Sequence, residues 1–165
     1  MTWVLLLKIA HLIGTALGVG GSTLAEVFYI QSVRTGKLND QALSFLRRTY
    51  QVIQVGTILL VGSGFGYFLW YRFDGHADRL YDERFWLKMM LVVVIAINAV
   101  LFQQHKIAPL WGRAIFFTSW YAALILGAWR GLEASWFTLV VSYGIGLGLV
   151  AGVFVLIRKR YPVSL

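Results

Sequence analysis

Five apolar stretches, separated by polar or charged connectors, constrain this chain more than any other feature. A helix needs about 20 mostly apolar residues to cross the hydrocarbon core of a bilayer. The stretches occupy most of the 165 residues and leave no room for a water-soluble domain. The expected architecture is an all-α, polytopic transmembrane bundle forming a single domain over residues 1–165. Helix one is expected from about Val4 to Ile30, helix two over about 50–71, helix three from Phe85 to Phe102, and helix five from Trp136 to Ile157. Helix four, from about Ala114 to Trp129, is short for a span and can be completed if Arg113 and Arg130 snorkel to the interfaces. Asn39-Asp40 reads as a helix start, Pro109 as a boundary in a connector, Gly131 to Ser135 as a tight hairpin, and Arg158-Lys159-Arg160 as a stop.

Composition supports this reading. Hydrophobic residues make up 59% of the chain and charged residues only 13%, while seven Trp and eight Tyr suit helix ends at headgroup level. The absence of cysteine excludes disulfides, thiolate metal sites, iron–sulfur clusters and thioether-linked haem. A net charge of +8 would fit nucleic acid, but cytoplasmic loops of membrane proteins collect Lys and Arg, and no nucleic-acid partner is expected. No basic segment precedes the first apolar run and Lys8 interrupts it, so no cleavable signal peptide is expected.

The basic residues set an orientation. Arg34, Lys37, Arg47, Arg48, Lys106, Arg113, Arg158, Lys159 and Arg160 fall on one side of a five-span chain. Lys8, Arg72, Arg79, Arg84, Lys88 and Arg130 fall on the other, whose longest loop is rich in acids. The richer side is expected to be cytoplasmic, with the N-terminus outside and the C-terminus inside, in a plasma (inner) membrane. Four spans would leave the basic tail outside.

Polar residues within the spans are few, and their spacing is informative. Lys8, His11, Thr15, Gly18, Ser22 and Glu26 recur every three or four residues and form one stripe of helix one. Ionisable groups at membrane depth normally face the bundle interior. Helix three offers a matching face in Lys88, Leu91, Ile95, Asn98, Phe102 and His105. Lys88, Lys8 and His11 fall at similar depth near the outer surface. Two readings fit them. In one, His11 ligates the iron of a haem b while Lys88 and Lys8 pair with propionates. In the other, His11 hydrogen-bonds across helices and the lysines snorkel to headgroups. His105 lies a full span from His11, leaving His76, Met89 or Met90 as candidates for a second axial ligand. Copper is poorly served by three methionines. A proton relay from His11 to Glu26 lacks intermediate titratable groups.

Glycines also follow helical spacing, at Gly14 and Gly18, at Gly62 and Gly66, and at Gly144, Gly148 and Gly152. Such faces let helices approach within one chain, or between subunits of a homo-oligomer or larger membrane complex. Helix five is the expected external face.

These residues also carry a family resemblance. Leu7-Lys8-Ile9-Ala10-His11, the glycine-rich run Gly18 to Gly21 and Val27-Phe28-Tyr29 resemble the first helix of HemJ-type membrane protoporphyrinogen oxidases and of CopD-like bacterial membrane proteins. Leu46-Arg47-Arg48-Thr49-Tyr50, leading to Gly62-Ser63-Gly64, resembles the second helix. Phe85-Trp86-Leu87-Lys88 is similar to the Trp-Leu-x-x-Lys opening of the third, without the two residues before the lysine. The resemblance covers about residues 4–105 and implies haem b or porphyrin near His11 and Lys88. The Pro-Arg pair of that family has no counterpart near Glu26 and Val27, and its histidine within helix three does not align with His105. Three functional expectations follow: a redox or cofactor-handling membrane protein, a non-catalytic accessory subunit, and a transporter-like protein that the lack of an inverted repeat disfavours.

Overall fold

The computed structural model describes residues 2–35, 40–75, 80–104, 106–129 and 134–160. Among these, five helices follow one another: α1 (Thr2–Thr35), α2 (Asp40–Phe73), α3 (Glu83–Gln103), α4 (Pro109–Ala128) and α5 (Trp136–Arg160). Four of them, α1, α2, α3 and α5, are long and apolar enough to cross a membrane. The chain is therefore an all-α membrane protein. Helix α4, at 20 residues, is about 30 Å long but does not meet the same criterion.

Local chemistry sets the helix ends. Asp40 opens α2 as expected, and Asn39 lies outside the described residues. Beyond α2, Gly75 adopts φ +79°, a left-handed conformation that glycine takes without a Cβ clash. Asp82 caps α3, its carboxylate accepting from the Arg84 backbone N–H at 2.9 Å. The side-chain bond from Arg84 holds the Asp82 carboxyl below the usual carboxylate range.

Several boundaries differ from the sequence expectation. Pro109 starts α4 instead of lying in a connector, because the first helical position needs no N–H and suits the fixed φ of proline. Helix α4 thus begins five residues earlier than expected and takes in Arg113. Ser135 precedes α5 and its hydroxyl accepts from the Thr138 N–H at 3.3 Å, whereas residues 131–133 of the expected hairpin lie outside the described residues. Arg158, Lys159 and Arg160 do not stop α5 but form its last turn, where cations complement the negative end of the helix dipole. Helix α1 likewise runs beyond both expected ends.

Successive helices alternate in direction. Along the α1–α2 pair, Trp3 meets Trp70, Leu7 meets Gly66, Gly21 meets Ile53 and Phe28 meets Phe45, so the two pack antiparallel over their full length. The closest approach is at Gly14 and Gly56. A Cβ on Gly56 would lie 2.9 Å from Gly14 O and 3.0 Å from Gly18 N. Helix α4 packs against α1 and α3, and α5 lies outside against α3 and α4. The centre is filled by Leu60, Ile95 and Trp120, with the indole of Trp120 seated on Gly18. A second cluster of Leu87, Leu91, Leu126 and Leu139 joins α3, α4 and α5. Large apolar residues such as Ile58, Phe65, Leu149 and Leu156 point outward, as lipid contact requires.

Gly56→Ala is expected to destabilise the protein by about 1–3 kcal/mol, because the added methyl meets the α1 backbone at Gly14 and Gly18 and the Leu17 Cβ, none of which can swing aside. Gly148→Ala, which meets nothing within 4 Å, is expected to be neutral or stabilising by up to about 1 kcal/mol. Equilibrium unfolding in mixed micelles measures both, and equal stability of the two variants would refute the close α1–α2 contact.

Candidate functional site

The α1 stripe grades from exposed to buried. Lys8 is exposed, His11 and Thr15 are half-buried, and Gly18, Ser22 and Glu26 are buried. The α3 face behaves similarly: Lys88 is half-buried, and Leu91, Ile95 and Asn98 are buried. Helices α1 and α3 thus turn their polar stripes inward, as the spacing predicts.

At the end that contains the N-terminus, His11 Nδ1 lies 3.0 Å from Ser63 Oγ of α2. The Ser63 hydroxyl directs its single proton to the carbonyls of Leu59 at 2.6 Å and Leu60 at 3.1 Å. With its proton on either carbonyl, Ser63 Oγ accepts from His11 Nδ1–H, and in that tautomer Nε2 is unprotonated. Tyr67, one turn beyond Ser63, meets the imidazole edge-to-face at 5.9 Å and steadies the ring. Lys88 of α3 is half-buried at the same end of the bundle, one turn from Phe85, which meets Tyr71 of α2. The structure thus places His11 and Lys88 half-buried at one end of the bundle, while Lys8 is exposed. Ser63 was not apparent from sequence as a partner of His11. Its only signal there was a hydroxyl between two small residues, Gly62 and Gly64, in the second span.

Below this layer, Leu60, Ile95 and Trp120 close the bundle, with Trp120 fully buried. A second polar layer follows. Arg113 of α4 forms a two-pronged ion pair with Glu26, Nε donating to Oε1 at 3.0 Å and Nη2 to Oε2. The guanidinium also stacks over the Tyr29 ring, 3.4 Å from its centroid, with the Phe154 ring 5.0 Å away. Close by, the Asn98 amide donates to Gly112 O at 2.8 Å. The pairing corrects the expectation that Arg113 snorkels: a buried carboxylate on α1 offers a better partner than the interface. The signal was Glu26 itself, since an acid within a span calls for a cation on a neighbouring helix.

Chemically, the outer layer offers one imidazole, with one lysine side chain at the same end of the bundle. That set suits a single metal–nitrogen bond with a nearby anion partner. Among the described residues no group of three or more His, Asp and Glu side chains could hold a metal ion. His76 and His105 lie outside the described residues; Met89 and Met90 are half-buried on α3. No protein-family profile, curated protein or solved structure matches the chain.

If Ser63 fixes the tautomer, ¹⁵N spectra of imidazole-labelled protein should show Nδ1 protonated and Nε2 unprotonated. Ser63→Ala should give a mixture of tautomers. An Nε2–H tautomer in the wild type would contradict the assignment.

Proposed function

We propose that this protein is a multi-pass plasma-membrane protein that binds haem b or a related porphyrin at the outer end of α1 and α3, in a redox or cofactor-handling role. The observation that carries the reading is the His11 ring held 3.0 Å from Ser63 Oγ, with Lys88 half-buried at the same end of the bundle. Iron-ligating histidines commonly donate their second ring nitrogen to an oxygen acceptor, which fixes the ring and raises ligand basicity. The donor set fits a porphyrin held by one axial nitrogen and one propionate partner, with Lys8 at the rim as a second cation. Haem b would supply a one-electron iron couple. The chain's own residues would orient it, balance its carboxylates and keep water from its inner face through the Trp120 layer. The resemblance to HemJ-type and CopD-like bacterial membrane proteins points the same way.

The proposed topology has five spans, the N-terminus outside and Arg158-Lys159-Arg160 in the cytoplasm. Alternating helix direction and the charge distribution support it.

A second reading, a non-catalytic subunit of a larger membrane complex or homo-oligomer, is favoured by α5. Its Gly144, Gly148 and Gly152 have no neighbour within 4 Å of a built Cβ, so this small-residue face is unused by the described residues of the chain.

Visible spectra of detergent-purified protein, expressed with ample haem, test the choice. The wild type should show a Soret band that His11→Ala abolishes, and Lys88→Met should weaken haem affinity about tenfold, the worth of one charge-assisted hydrogen bond. A colourless wild type that copurifies with other membrane proteins would favour the subunit reading instead.

A further inference from the structure

A cavity of about 580 Å³ lies among α1, α2, α3 and α4 on the opposite side of the Trp120 layer from His11. The residues that α1 and α4 contribute, Glu26 and Arg113 among them, are buried or half-buried. Arg47, Gln51 and Gln54 of α2 and Gln103 of α3 also line it, and these are exposed. The mouth therefore opens between α2 and α3, which pack on each other only slightly although α2 follows α1 over its full length. Both α2 and α3 are long and apolar enough to cross a membrane, so this mouth opens sideways into lipid.

Depth sorts the lining in the order of a phospholipid. Trp70 marks the far end of α2, where aromatic rings collect as they do at a membrane interface. Tyr50 lies about 30 Å along the helix from Trp70, the thickness of the hydrocarbon core. Arg47 is about 5 Å further out, at headgroup level, and Gln51 and Gln54 fall just inside the core boundary. Phe116 and Phe117, about two turns into α4, give apolar wall at the depth of acyl chains.

Charge narrows the headgroup. Glu26, the carboxylate of the lining, is committed to Arg113, so the guanidinium of Arg47 is the charge left over. Among the described residues, Arg47, Gln51, Gln54 and Gln103 have no hydrogen-bond or ion-pair partner. Amides at the edge of the hydrocarbon need polar partners that lipid tails do not supply. A zwitterionic head would bring an ammonium group with no carboxylate to receive it, beside the exposed Arg48.

We propose that this cleft holds one anionic phospholipid of the adjoining leaflet. Its phosphodiester sits on the Arg47 guanidinium, its glycerol esters meet the amides of Gln51, Gln54 and Gln103, and an acyl chain lies beside Phe116 and Phe117. A guanidinium pairs with phosphate through parallel N–H bonds, and basic pockets between membrane-spanning helices are a recurrent setting for anionic headgroups. The site shares no residue with the His11 layer, so its occupancy does not depend on a porphyrin there.

The test follows the thermal unfolding midpoint of the full chain, stripped of lipid in dodecylmaltoside, against rising concentrations of four probes. These are dioctanoyl-phosphatidylglycerol, dioctanoyl-phosphatidylcholine, dioctanoylglycerol and glycerol 1-phosphate. Phosphatidylglycerol should raise the midpoint saturably, with half-saturation about tenfold below that of phosphatidylcholine or the diacylglycerol, and glycerol 1-phosphate should have no effect. Arg47→Gln should raise the half-saturating concentration of phosphatidylglycerol about tenfold and abolish its preference over phosphatidylcholine. Arg72→Gln, at the other end of α2, should change neither. Ala99→Phe, which fills the cavity from the α3 wall, should weaken the response about tenfold without altering any charge. Equal responses to the anionic lipid and either uncharged competitor would overturn the proposal in favour of an apolar crevice that reads no charge. A saturable response to glycerol 1-phosphate in the same range would overturn it in favour of a soluble phosphate. Equal losses in Arg47→Gln and Arg72→Gln would overturn it in favour of general surface charge. No saturable response to any probe, or an undiminished one in Ala99→Phe, would overturn it outright.

Discussion

The ion pair between Glu26 and Arg113 is the interaction on which the rest of the arrangement depends. In lipid, apolar burial gives little net drive for one helix to choose another, so small-residue contacts and polar ties decide the neighbours. Helices α1 and α2 find each other through Gly14 and Gly56, and α3, α4 and α5 are joined by short connectors and the leucine cluster. What fastens the first unit to the second is the line of contacts from α1 to α4. Glu26 meets Arg113, Thr23 Oγ1 lies 2.8 Å from the Tyr121 hydroxyl, and Gly18 receives Trp120. Of these only the ion pair carries a penalty severe enough to forbid alternatives, since either charge alone at that depth would be left uncompensated.

That tie divides the interior into layers. His11, Ser63, Tyr67 and Lys88 form one polar layer, and Glu26, Arg113 and Asn98 the other, with Leu60, Ile95 and Trp120 between. Along α1, His11 and Glu26 are about 22 Å apart. The packed layer of Leu60, Ile95 and Trp120 is itself without a titratable side chain.

Much of this was legible in the sequence, for identifiable reasons. The fold class followed from the length of the apolar runs, and the inward stripes of α1 and α3 followed from helical spacing, which His11, Ser22, Leu91, Ile95 and Asn98 obey. Partners were less legible. Ser63 is a hydroxyl whose meaning depends on where α2 places it against α1. Arg113 sits where an apolar run begins, so its charge reads as interfacial until Pro109 is seen to open the helix four residues earlier. The glycine spacings were equivocal: Gly14 and Gly18 are packed, whereas Gly144, Gly148 and Gly152 are open, and only the three-dimensional arrangement separates them. The cavity had no sequence signal at all, because it arises where four helices fail to fill the space between them.

The most direct measurement is a double-mutant cycle on the ion pair, read by equilibrium unfolding in mixed micelles. Glu26→Gln and Arg113→Met should each destabilise the protein by about 3–5 kcal/mol, because each leaves a buried charge without its partner. The double variant should lose far less than the sum of the two, since no uncompensated charge remains. Single variants that are nearly neutral, or losses that simply add, would contradict the claim that this pair fastens α1 to α4.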